Sequence, residues 1–146
     1  MILERRQILF DLVEAHALLY QAFNTNPEFE NVVPRAFGSY QILGALHMRH
    51  FADVPQELRA AMLALVVEAP ENGVIFRILK KNAARHEKEI GFVVPEDLML
   101  GLLVAECIKR KIPLPMKADK SCLTKEMYVG IGFSLETRQD SDLQLE

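Results

Sequence analysis

The chain has 146 residues, half of them apolar and a quarter charged, with a net charge of −3 and a pI near 5.8. That length can bury about 70% of the unfolded surface in one core without help from a metal or disulfide, and the composition excludes wholesale disorder. So weak a net field excludes nonspecific attraction of the whole molecule to nucleic acid or an anionic membrane; a polyanion site would have to be local.

The N-terminal apolar residues are interrupted by Glu4, Arg5 and Arg6 and do not form the unbroken run of a secretory signal. The longest apolar runs, 60–67 and 98–105, fall far short of the roughly 20 residues that cross a bilayer. A soluble, cytoplasmic protein is expected. Cys107 and Cys122 lack a CxxC spacing, so both read as reduced thiols.

From Leu3 to Phe23, the residues Leu9, Leu12, Val13, Leu19, Tyr20 and Phe23 recur mostly at spacings of three and four, which predicts a first helix ending near Asn24. Pro27 and Pro34 mark a loop. A second helix is expected over Arg35 to Phe51, with Gly38 and Gly44 permitting close packing. Asp53-Val54-Pro55-Gln56 has the chemistry of a helix start, and Leu58, Ala61, Met62, Leu65, Val66 and Ala69 follow in register. Asn72 then caps a fourth helix carrying Ile75, Ile78, Leu79, Asn82 and His86, closed by Gly91.

Phe92 to Val94 is short and β-rich. The fifth helix, Pro95 to Lys111, is apolar nearly all round between Leu98 and Ile108, and so is expected to form the enclosed centre of the core, against residues 60–67 of the third. Glu96 and Asp97 at its start and Lys109, Arg110 and Lys111 at its end follow the order the helix dipole favours. The basic cluster in KRKIPLPMKADK is therefore read as a helix end followed by a stiff connector held extended by Pro113 and Pro115. From Leu123 to Leu135 apolar residues alternate, predicting a strand. The polar tail from Thr137 is expected to fray. The expected fold is a mainly α single domain over 1–136, a bundle of about five helices around 95–111 with a small β element pairing 91–94 with 123–135.

Charge is unevenly spread: residues 74–125 are net +5, between flanking segments of −4 each. On a fourth helix, Arg77, Lys81, Arg85 and Lys88 would form a continuous basic stripe with Lys80 beside it, a face suited to an acidic protein partner. Nucleic acid is the alternative, using the same residues with Lys109 to Lys111, although no aromatic residue is interleaved to stack on bases. A lone terminal strand exposes backbone groups that must pair. Met127, Val129, Ile131 and Phe133 are thus assigned to a strand edge, which could pair within the chain, with a second copy or with another protein.

His47 and His50, with Asp53 beyond, could share a divalent metal, but Asp53 serves better as a cap and two imidazoles rarely suffice. His16 reads as a core histidine and Cys107 as a buried thiol. Gly130-Ile131-Gly132 lacks the third glycine of a phosphate loop. The sequence points to a noncatalytic, self-associating interaction or regulatory module without a cofactor. A nucleic-acid-binding regulator stands second, and a small metal-binding protein or enzyme using His47 and His50 third.

Overall fold

The computed structural model describes residues 2–57, 59 and 71–137. Strand β1 (Ile2–Asp11) runs directly into helix α1 (Leu12–Thr25), followed by β2 (Tyr40–Met48), β3 (Gly73–Lys80) and β4 (Ile90–Pro95). Helix α2 (Glu96–Lys109) then leads to β5 (Lys120–Lys125) and β6 (Tyr128–Thr137). The strands form two antiparallel three-stranded sheets, in the orders β1-β6-β5 and β2-β3-β4. The five-helix bundle is therefore corrected to a mixed fold in which, among the described residues, α1 and α2 pack on two small sheets.

Each correction has a local cause. The predicted first helix splits at Asp11, whose carboxylate accepts the Glu14 backbone N–H at 2.8 Å and caps α1. Residues before that cap are a strand, with Ile8 and Phe10 facing the core. The predicted second helix is β2. The predicted fourth is β3, followed by a turn segment and β4. The segment 60–70, assigned to the third helix, and the tail 138–146 lie outside the described residues.

One core joins both sheets to α1 and α2. Val129, Ile131 and Phe133 of β6 share one buried cluster with Val74, Phe76 and Phe92 of the second sheet, Leu19 of α1, and Met99 and Leu103 of α2. The second sheet also has a covered reverse face, where Met48, Ile75 and Val93 cluster with Val54. β3 is thus buried on both sides, which explains why Val74-Ile75-Phe76 is an unbroken apolar run.

α2 begins and ends close to its predicted bounds, but it is not an enclosed axis. Its core face is Met99, Leu103 and Cys107, while Gly101 and Ala105 are exposed and Ile108 is 68% exposed. Beyond it, Lys111 takes a left-handed conformation (φ 59°). The Lys111 and Ile112 N–H groups return to the carbonyls of Ile108 and Cys107, at 3.0 and 2.8 Å. This double return terminates the helix with a lysine where glycine is usual. Among the described residues no helix is long and apolar enough to cross a membrane.

Candidate functional site

Two features compete for the role of a site: a half-buried polar junction between the sheets and an uncovered strand edge. The junction owes its geometry to an irregularity in β2. Ile42 pairs with Ile78 and Gly44 with Arg77, so Leu43 is an extra residue. That bulge reverses the alternation and turns His47 toward the helix side of the sheet. There His47 Nε2 lies 2.7 Å from Glu96 Oε1 in the first turn of α2. Glu96 Oε2 accepts the Cys122 backbone N–H at 2.8 Å, and Thr124 Oγ1 accepts the His47 backbone N–H at 2.8 Å.

The junction contains a histidine, a carboxylate and a thiol, and its hydrogen bonds tie β2 and β5 to α2. Burial pushes the Cys122 thiol up to about 12, with the nearby Glu96 charge adding to the effect, so it stays protonated at neutral pH. Both Glu96 oxygens are engaged in holding β2 and β5 to α2. Sequence reasoning paired His47 with His50 and Asp53. Those three do line one shallow cavity of about 310 Å³, but the His47 ring is committed to Glu96, and His50 and Asp53 are exposed. Among the described residues no three His, Cys, Asp or Glu side chains come together as a metal site.

The basic stripe also dissolves, because it needed a helix. Arg77 and Lys80 sit on β3, while Lys81, Arg85 and Lys88 belong to the connection to β4. Arg77 lies across Gly44 and pairs with Glu89 at 3.3 Å. Lys80, Lys81, Arg85 and Lys88 are exposed. Of the helix-end triplet, Arg110 is bound internally, to Glu106 at 2.6 Å and Glu14 at 2.8 Å, with its guanidinium 5.5 Å over the Phe10 ring. The arginines that do converge are Arg5 and Arg6 of β1 and Arg49 beyond β2, which share a cleft of about 450 Å³ with Asp119 and Ser134.

The terminal strand was assigned as an edge, and here the placement differs most. β6 is the middle strand of its sheet, paired with β1 on one side and β5 on the other. Val129, Ile131 and Phe133 are core residues. Met127 lies in the β5–β6 turn, 56% exposed, and shares a groove with Val13, His16, Tyr40 and Lys81. The pairing of 91–94 with 123–135 is replaced by β3 with β4 and β5 with β6.

An uncovered edge belongs to β1. Among the described residues its one strand partner is β6, so the opposite row of its backbone N–H and C=O groups has no strand beside it. Residues 2–7 are exposed on both faces, with Ile2 at 48% and Leu3 at 59%. β5 pairs with β6 no further than Phe133, so beyond it the sheet narrows to a ribbon of Ile2–Arg5 against Ser134–Thr137. Sequence reasoning missed this strand because helical spacing from Leu9 onward was carried back across the cap; the Asp11-x-x-Glu14 pattern was the signal that could have stopped it. No family model, curated protein or solved structure matches the chain.

Proposed function

We propose that this protein is a noncatalytic interaction module that accepts an extended strand along the free edge of β1. The observation that supports this most is the edge itself: ten residues long, outermost in its sheet, and carrying exposed Ile2 and Leu3. An open edge supplies main-chain hydrogen bonds for affinity, and its alternating side chains supply specificity. Both oxygens of Glu96 are engaged in hydrogen bonds to β2 and β5, which supports this reading over one centred on the junction.

Selection of displayed random peptides on the full chain tests this reading. Binders are expected to be extended and to protect β1 amides from hydrogen exchange. Absence of any such binder, together with β1 amides that exchange freely at every protein concentration, overturns it.

A further inference from the structure

Resting on that reading, we propose that the strand received by β1 is β1 of a second copy, antiparallel, with Glu4 opposite Arg6 of the other chain. Joining two edges across a two-fold axis perpendicular to the sheet keeps each face of the sheet continuous. A residue then faces one of the same parity, so the registers available to the exposed segment are centred on Glu4, Arg5 or Arg6.

Centring on Glu4 sets that carboxylate against its own copy, and centring on Arg6 does the same to a guanidinium. Every centred register sets one like pair directly opposite, which is unfavourable, and in these two no opposite-charge pair lies beside it to offset the cost. Centring on Arg5 sets Glu4 against Arg6 twice, Ile2 against Ile8 twice and Leu3 against Gln7 twice. Glu4 and Arg6 already share one face, since their side chains meet at 3.1 Å within the chain. The symmetric pairing therefore builds a closed ring of four alternating charges. Arg5 meets its copy on the other face, one like pair set against the two Glu4–Arg6 pairs.

The product is a six-stranded sheet in the order β5-β6-β1-β1-β6-β5. It consumes both free β1 edges, so association stops at two chains. A contact of this size belongs to the weak, concentration-dependent class.

Sedimentation equilibrium of the full chain, from about micromolar to about millimolar, tests the pairing in low and high salt. A reversible dimer that weakens with salt is expected. Glu4→Arg alone and Arg6→Glu alone should each raise the dissociation constant by about tenfold or more, because each creates like-charge pairs across the two-fold. Mixing the two variants should produce a heterodimer at least as tight as wild type, although the internal Glu4–Arg6 pair is broken in both. Circular dichroism of each variant confirms that the fold persists. A chain that stays monomeric throughout, a dimer indifferent to both substitutions, or variants that do not combine would overturn the proposal. A monomer that still binds displayed peptides along β1 sinks the self-pairing alone; a monomer that binds none sinks the edge reading too.

Discussion

One Glu96 carboxylate holds three elements at once: Oε1 lies 2.7 Å from His47 Nε2 on β2, and Oε2 takes the β5 backbone N–H of Cys122 at 2.8 Å. The two side chains are 18% and 16% exposed, so the contact is screened by water but not dominated by it. Removing Glu96 leaves both the imidazole and a partly buried N–H without an acceptor, which costs more than the bond itself is worth. Glu96→Ala is expected to lower stability by about 2–3 kcal/mol and His47→Ala by about 1–2 kcal/mol. The double variant should fall short of their sum by about 0.5–1 kcal/mol. Urea unfolding of all four proteins measures this, and strict additivity would mean that the contact carries no coupling.

How much of this could be read beforehand depended on whether local chemistry or tertiary burial decides each element. α2 was legible because Pro95, the acidic first turn, the basic last turn and the following prolines all act within a few residues. β6 was legible because Val129, Ile131 and Phe133 alternate against polar or glycine neighbours. β3 was not, since burial on both faces erases the alternation and leaves Ile75, Ile78 and Leu79 at spacings that also fit a helix. β2 was hidden by its bulge, which changes parity at Leu43. The β5–β6 hairpin was hidden because its turn is Glu126-Met127, with Glu126 at φ 50°, where Asn or Gly would have announced it. The error at β1 mattered most for the site, because it moved the free edge from the start of the chain to its end.

Both thiols are buried, Cys107 at 0% and Cys122 at 1% exposure. Desolvation raises each, and Cys122 reaches about 12 from an ordinary value of 9.0. Neither should react with a disulfide reagent at pH 8 in the folded protein, while both should react in denaturant. The raised Cys122 value also has a sign for stability. The folded state holds its proton where the unfolded chain has lost it, so this contribution is complete below pH 9 and declines as pH rises toward 12. Cys122→Ala should flatten that alkaline decline in urea titrations, and an unchanged slope would remove the thiol as its source.

Lys111 ends α2 with φ at 59°, a conformation that costs a side chain about 1 kcal/mol and glycine almost nothing. Its side chain is exposed, and the structural work of this position is done by its backbone N–H. Lys111→Gly is therefore expected to stabilise the protein by about 0.5–1 kcal/mol, a melting shift of about 1–4 °C. A loss of stability on calorimetry would show that the lysine side chain makes a contribution larger than the strain it imposes.

Three glycines separate backbone obstruction from side-chain obstruction. A methyl group on Gly130 would run into the carbonyl of Ile8 in the adjacent strand, where neither backbone can yield without breaking the β1–β6 register. Gly130→Ala should cost about 3 kcal/mol or more, beyond the range of ordinary substitutions. At Gly44 the obstacle is the Arg77 guanidinium, the far end of a flexible chain that can swing aside. Gly44→Ala should cost about 1 kcal/mol or less, at the expense of the exposed pair with Glu89. Gly101 is exposed inside α2 and has nothing within 4 Å of the added atom. There alanine should stabilise by about 1 kcal/mol through helix propensity and a less disordered unfolded chain. The expected rank in chemical denaturation is Gly101→Ala above wild type, Gly44→Ala slightly below, and Gly130→Ala far below. A mild Gly130→Ala would mean that β1 and β6 can shift apart, and the edge proposed to bind would then not be rigid enough to template a strand.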